Sequence, residues 1–270
     1  MTKTLFALYL TTMLAMAYTD SDMDGVEDAY DKCPQTPISD LVDYDGCSLK
    51  NSEKKIFYDI VFGGGYSQIN YSSLQNEDTI NSYIQTDIYF EKWYFQGVVS
   101  RYSSDTQSGT KNGWDDTLLN FFYKLLSNEY LSLNIGAGLI LPTYKSGFKN
   151  EELDYKAAIN FKYDLSEKTY LLGAYSHAWI NDEDFRFIKY QNTNSFNIGI
   201  NYAQNSNTSY GISYGKSDSI YKNIKAIQTL EFNYSLDINS KWFIGAYYGL
   251  GLSSSASDNS FGGYIGYYFN

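Results

Sequence analysis

Between Lys241 and Phe269 the side chains alternate with a period of two, and the two faces this makes are unlike each other. Trp242, Ile244, Ala246, Tyr248, Leu250 and Leu252 fall on one side of an extended chain; Phe243, Gly245, Tyr247, Gly249, Gly251 and Ser253 fall on the other. After a short break, Phe261, Gly263, Ile265, Tyr267 and Phe269 alternate with Ser260, Gly262, Tyr264, Gly266 and Tyr268. Successive residues of a strand point to opposite sides, so a strict period of two means two environments. One face is apolar and aromatic. The other is Gly, Ser and Tyr, too small and polar for a dry core. A soluble barrel keeps its apolar face inside; this pattern predicts the reverse, a barrel standing in lipid around a wet lumen.

The rest of the chain is consistent with that constraint. After the N-terminal segment there is no run of 18 apolar residues, so no transmembrane helix is predicted. A barrel needs none, because closure satisfies every backbone group internally. The 29 tyrosines suit two interfacial girdles. A net charge of −11 argues against nucleic acid as a partner, since phosphate binding needs a basic face. From Ile56 onward twelve alternating stretches are predicted: 56–67, 80–91, 93–103, 114–125, 130–141, 153–164, 169–180, 193–203, 208–217, 224–236, 241–253 and 260–269. Short polar turns at 91–92, 127–128, 166–168, 204–207 and 239–240 alternate with longer loops at 68–79, 104–113, 142–152, 181–192, 218–223 and 254–259. Outer-membrane barrels pair short periplasmic turns with long outer loops, so an even count places both ends of the barrel in the periplasm. The fold class expected is all-β, a transmembrane antiparallel up-and-down barrel over 55–270. Its last strand, with Phe269 next to the final residue, resembles the terminal signature of bacterial outer-membrane barrels.

Alternation also sorts the faces. Tyr58, Ile60, Phe62, Ile84, Ile88, Phe90, Leu131–Leu141 in steps of two, Tyr155–Tyr163 in steps of two, Phe196–Tyr202 in steps of two, Leu230, Phe232 and Tyr234 are assigned to lipid. Their alternates, including Gln85, Asn120, Asn134, Lys156, Asn160, Asn197, Asn201, Glu231 and Asn233, face the lumen. A base on the lipid face near the midplane would cost ~2–4 kcal/mol. Stretches 93–103 and 169–180 carry large residues on both faces and stay unassigned. By topology Asp59, Asp87, Glu91, Lys124, Lys162 and Asp164 gather in the periplasmic half of the lumen. Two readings are open: a salt-bridge network that fills the barrel, or a charged constriction that selects solutes.

The N-terminus has a different character. Residues 1–17 read as a secretory signal peptide: Lys3, an apolar run Leu5–Leu14, and Ala15-Met16-Ala17 as the small-x-small cleavage site. Residues 18–54 carry ten acidic residues against three lysines. Asp20-Ser21-Asp22-Met23-Asp24-Gly25 starts a twelve-residue spacing in which Asp20, Asp22, Asp24, the Val26 carbonyl, Asp28 and Asp31 take the ligand positions of a calcium loop, with glycine at the sharp turn. Position 12 is Asp rather than the longer Glu. The run continues as Asp31-Lys32-Cys33-Pro34-Gln35-Thr36-Pro37 and Val42-Asp43-Tyr44-Asp45-Gly46-Cys47. With the acidic spacing, this resembles the thrombospondin type 3 repeat and the cysteine-bearing linker of some OmpA-family porins. The resemblance implies Ca²⁺ on those six residues and a Cys33–Cys47 disulfide. Adhesive members stack several repeats and the porin linker follows its barrel; here one repeat precedes it.

Chemistry of the catalytic kind is sparse. His177 is the only histidine, and adjacent Ser176 points to the opposite face of a strand, so the two cannot form a nucleophile–base pair. Asp115, Asp116, Asp182 and Asp184 lie towards the outer rim without a protease motif. No phosphate loop or Cys/His zinc pattern is present. The expected function is a pore or transport channel for small solutes in the outer membrane of a Gram-negative bacterium. The alternative is a closed structural or adhesive barrel; a hydrolase is the least favoured reading. The lipid bilayer is the one partner implied.

Overall fold

A computed structural model describes residues 20–22, 25, 26, 28, 30–36, 41–48, 56–71, 75–106, 109–144 and 151–269, with backbone alone for 69–71 and 75–76. The signal peptide at 1–17 and the ligand Asp24 lie outside the described residues. The chain divides into two compact units, residues 1–55 and 56–270.

The second unit is all-β. Its strands are β1 (Ile56–Tyr71), β2 (Gln75–Phe90), β3 (Trp93–Thr106), β4 (Gly109–Trp114), β5 (Thr117–Ser127), β6 (Leu131–Leu141), β7 (Asp154–Asp164), β8 (Thr169–Trp179), β9 (Thr193–Ala203), β10 (Thr208–Ser217), β11 (Ile227–Asp237), β12 (Trp242–Gly251) and β13 (Asn259–Phe269). Each pairs antiparallel with its sequence neighbours except that β5 pairs with β3 in place of β4, and β1 pairs with β13 from Tyr58↔Phe269 to Gln68↔Asn259, which closes the sheet. β4 and β5 share one stave beside β3, so the barrel has twelve staves. Closure leaves no strand edge where the wall meets lipid.

The alternation sets the faces as expected. Phe62, Ile84, Ile135, Ile159, Ile198, Ile200, Phe232 and Ile265 are large, apolar and exposed on the outer wall. Aromatic rings gather near both ends of that wall. Tyr58 stacks on Phe269 at 4.7 Å and Trp93 on Phe121 at 4.8 Å at the short-turn end. Tyr66 lies against Phe261 and Phe196 against Tyr214 at the long-loop end. These are the two girdles of a membrane barrel. The two unassigned stretches now have faces. On β3, Trp93, Phe95 and Val99 point out; on β8, Tyr175 and Trp179 do, and His177 shares their side.

Three features differ from the expectation. Segments 68–79 and 104–113 are not loops: β1 and β2 stay paired to Tyr71↔Gln75, and β3 and β4 to Thr106↔Gly109. The polar residues that suggested loops pair across strands instead. Tyr66 OH donates to Asp78 at 2.9 Å, the Thr79 and Ser104 hydroxyls share a hydrogen bond, and Ser104 Oγ donates to Glu77. Stretch 114–125 is broken at Asp115-Asp116. There Asp115 N–H donates to the Ser100 carbonyl while Ser100 Oγ donates to Asp115, so side-chain bonds replace one rung of the ladder. Finally, Glu91 is no part of the lumen wall. It forms the tight β2–β3 turn with φ at 53°, exposed to solvent. A register shift between Lys124 and Leu126 bulges Leu125 out of β5.

Inside, glycine and aromatic residues face each other across strands. Gly63 opposes Tyr83, Gly136 opposes Phe122, Gly245 opposes Tyr264, Gly262 opposes Tyr247 and Gly266 opposes Phe243. In each pair the ring lies where a Cβ on the glycine would stand. The aromatic supplies the packing surface its partner lacks, and the wall stays thin enough for rings to lie along it.

In the first unit, Cys33 and Cys47 are joined with their Cα atoms 5.0 Å apart. Thr36 is buried beside the bridge, donating through Oγ1 to the Gly46 carbonyl at 2.6 Å. Lys32 pairs with Asp45 at 3.0 Å. Gly25 has φ of +99°, the left-handed turn that its place in the loop requires.

Candidate functional site: the barrel lumen and the acidic loop

The two sides of the lumen are built differently. Along β1–β6 it is packed. Asp59 and Asp87 are direct cross-strand neighbours and are 3% and 4% exposed. Asp87 accepts hydrogen bonds from Gln85 Nε2 at 2.6 Å, Tyr94 OH at 2.7 Å and Gln96 Nε2 at 3.0 Å. Asn120 donates to Gln96 Oε1 at 3.2 Å, and Tyr94 stacks on Phe122 at 5.5 Å. Val61 and Phe122 are buried in the same wall. Neutral amide and phenol donors therefore hold Asp87, while Asp59 Oδ1 is buried without a hydrogen-bond partner; among the described residues no lysine or arginine pairs with either carboxylate.

The other expected charges do not join it. Lys162 Nζ pairs with Asp164 at 2.9 Å on its own strand and lies 4.8 Å over the Tyr170 ring. Lys124 is exposed near the short-turn end, and Glu91 sits in its turn. The Asp59–Asp87 and Lys162–Asp164 pairs are separate, and Lys124 and Glu91 are exposed away from both.

Along β8–β13 the lumen is open. A cavity of about 390 Å³ is lined by Asn197, Asn201, Asn233, Glu231, Tyr247 and Tyr264, with serines between them. The register explains the row: Asn201, Gly211, Asn233, Tyr247 and Gly262 lie side by side on five consecutive strands. Gly211 leaves room for the Asn201 and Asn233 amides, and Gly262 for the Tyr247 ring. The Asn197, Asn201, Asn233 and Glu231 side chains make no hydrogen bond to another described residue. Asn201 is buried beside Gly211, while Asn197, Glu231 and Asn233 keep donors and acceptors open to the cavity, as a solute passage needs. Each of these four residues was assigned to the lumen from alternation; that they surround a cavity depends on the register of β9–β12.

At the long-loop end the acidic residues serve the backbone. Tyr144 N–H donates to Asp116 Oδ1 at 3.0 Å, Glu152 N–H to Asp182 Oδ1 at 3.2 Å, and Tyr190 N–H to Asp184 Oδ1 at 3.0 Å. Burial raises the Asp116 carboxyl above its usual range despite that bond, and Asp182 and Asp115 add to the rise. Asp182 is raised too, again through burial. Tyr190 is pushed up to about 12 by burial and by Tyr221, which it touches across two loops. Among the described residues His177 and Ser176 do not come together. His177 Nδ1 is engaged with Asn194 Oδ1 at 2.9 Å, and Ser176 lies on the opposite face.

In the first unit, Asp20 Oδ2 accepts from Gly25 N–H at 2.9 Å, Asp22 Oδ2 from Thr36 N–H at 2.7 Å, and Asp31 Oδ1 from Cys33 N–H at 2.7 Å. Asp28 accepts from the Ser21 N–H and hydroxyl at 2.8 Å each. Asp22 and Asp31 each keep their second oxygen buried without a hydrogen-bond partner. Among the described residues no three acidic side chains converge on one point. The donor set is all hard oxygen and suits Ca²⁺, and the two orphaned oxygens fit a missing cation.

The barrel is that of bacterial outer-membrane proteins. It matches an outer membrane channel from Pseudomonas putida F1 with a TM-score of 0.63 at 12% identity, over 80% of this chain and 96% of that one. The beta domain of the Bordetella autotransporter BrkA matches at 0.52 and 10% identity, over 78% and 98%. The KdgM porin in complex with oligogalacturonate matches at 0.49 and 13%, over 78% and 99%. The first two of these likenesses establish the fold. No protein-family model matches the chain.

Proposed function

We propose that residues 56–270 form a channel for small solutes in the outer membrane of a Gram-negative bacterium. The observation that carries this reading is the one-sided lumen: a packed wall along β1–β6 facing a polar cavity along β8–β13. A barrel whose only task was to anchor loops would gain by packing both sides, since unsatisfied amides in a closed interior are costly. Planar-bilayer recording of the purified chain tests it. Stable open-state current supports the channel; a barrel that inserts and stays silent moves the assignment to a structural or adhesive protein. The paired extensions of β1–β4 beyond the barrel would give that second reading its contact surface.

We also propose that residues 18–54 bind Ca²⁺ through Asp20, Asp22, Asp24, the Val26 carbonyl, Asp28 and Asp31, on the periplasmic side, where β1 begins among the short turns. The orphaned oxygens of Asp22 and Asp31 support it, as does the likeness to a thrombospondin type 3 repeat. Affinity of the order of 10⁻⁴–10⁻³ M is expected of an exposed module. Calorimetric titration of the full chain with CaCl₂ should show one site that is lost in Asp22→Ala and kept in Asp45→Ala. Equal heats for both variants would remove the ion from this loop.

A further inference from the structure

We propose that the cavity along β8–β13 is a binding site for a neutral polyhydroxylated solute, a molecule of mono- to disaccharide size; this deepens the channel reading and rests on it.

The lining decides the chemistry. Asn197, Asn201 and Asn233 each present an amide that can donate and accept, and none of the three is engaged elsewhere. Ser209, Ser213 and Ser235 add hydroxyls, although Ser209 and Ser235 already share a bond at 2.7 Å. Glu231 is the one charged residue among those lining the cavity, and it has no basic partner among the described residues. Tyr247 and Tyr264 lie along the wall because glycine stands beneath each ring. Their outer faces are therefore flat apolar platforms bordered by amides.

Few solute classes satisfy such a wall. An anion would meet Glu231, and the ammonium beside the cavity, Lys162 over the Tyr170 ring, is already paired with Asp164. An apolar solute would cover three amides and leave them unsatisfied, which buried polar groups do not tolerate cheaply. A sugar offers many hydroxyls, each able to donate to Glu231 or an asparagine carbonyl and to accept from an amide N–H. Its C–H faces can pack on the tyrosine rings as other apolar surfaces do. The volume, about 390 Å³, is at the small end of ligand sites and matches one or two sugar rings rather than a long chain.

A cation is the rival, since Glu231 would attract it, and the experiment separates the two. The full-length chain is recorded in planar bilayers in KCl, with maltose, glucose, arginine or glutamate added on one side, and the same probes are titrated calorimetrically against the protein in detergent. Maltose or glucose should reduce the open current in a saturable way and give binding heat. Asn233→Ala should weaken that block about tenfold, as expected for one lost hydrogen bond to a buried group. Glu231→Gln should keep sugar block within a few-fold while lowering the preference for cations over anions. Circular dichroism and heat-modifiability of each variant confirm that the barrel is intact. An open current that arginine blocks and sugars do not would overturn the proposal and leave the channel standing. So would sugar block that is unchanged in both Asn233→Ala and Tyr247→Ala. No current and no heat with any probe would defeat channel and sugar site together.

Discussion

At many glycines of this barrel another residue's ring or backbone stands where a Cβ would go, and at a few the space is open. A Cβ at Gly262 would come within 2.5 Å of the Gly64 carbonyl oxygen and 2.7 Å of Tyr247 Cε1, and backbone cannot move aside cheaply. Gly262→Ala should therefore destabilise the barrel by ~1–3 kcal/mol, the usual cost of overpacking. A Cβ at Gly97 meets only Leu119 Cδ2, at 3.6 Å. Gly97→Ala should be neutral or stabilise by up to ~1 kcal/mol, as alanine loses less entropy than glycine in a strand. Thermal melting followed by far-UV circular dichroism compares the two; equal melting temperatures would contradict the argument. Alternation read Gly262 as a small luminal position, while Gly97 fell in an unassigned stretch and lies on the outer face with Phe95 and Val99. It gave no sign of which ring covers which glycine, because that needs the register. Asp116 has a different origin. Its folded pKa is raised above the unfolded value of 3.8, so its contribution to stability is present below that value and is lost as pH rises through the folded pKa. The loop carrying Tyr144 should accordingly be better protected from amide exchange at pH 4 than at pH 7, after correction for intrinsic rates. Asp116→Asn should abolish the difference.

At the scale of elements, the barrel and its outer extensions are separable. β4 pairs with β3 alone, while β3 reaches the next stave through β5, from Trp93↔Tyr123 to Val98↔Leu118. Arg101 and Trp114 are opposite each other at the base of the extension. Replacing residues 102–113 with a two-residue turn should leave the barrel folded and its melting temperature within a few degrees of the parent, since no lumen pair is removed except Tyr102–Gly113. A variant that no longer shifts on heating in a denaturing gel would show that the extension is part of the folding unit. The sequence placed loops here because Ser, Thr, Asn and Asp are dense between 103 and 112. Such residues favour turns in isolation. Paired across strands, their side chains bond one another, and local propensity is overridden.

For the whole molecule, topology is the testable claim. The exposed tip at Phe187 lies in a long connection, and Glu167 lies in a short turn at the other end of the barrel. Phe187→Cys should react with an impermeant maleimide on intact cells. Glu167→Cys should react only after the outer membrane is permeabilised. The reverse pattern would invert the barrel and with it the periplasmic location of the acidic repeat.

The sequence alone determined the strand content, the inside and outside of nearly every strand, and the acidic repeat. Each of these depends on short-range order: a period of two for a strand, a spacing of two between aspartates for a loop. Alternation even assigned Asp59, Asp87, Glu231 and Asn233 to the lumen. What it could not supply is which lumen residues meet. Asp59 lies beside Asp87, and Asn201 lies two strands from Asn233 across Gly211, because of pairings set by strand stagger around a closed wall. Stagger is a property of closure and not of any single strand. That is why the charged residues expected to gather in one half of the lumen, as a network or as a constriction, separate into the Asp59–Asp87 neighbours, with neutral donors on Asp87, and a Lys162–Asp164 bridge. It is also why the candidate solute site lies on the side of the lumen where the sequence offered only asparagine, serine, tyrosine and one glutamate.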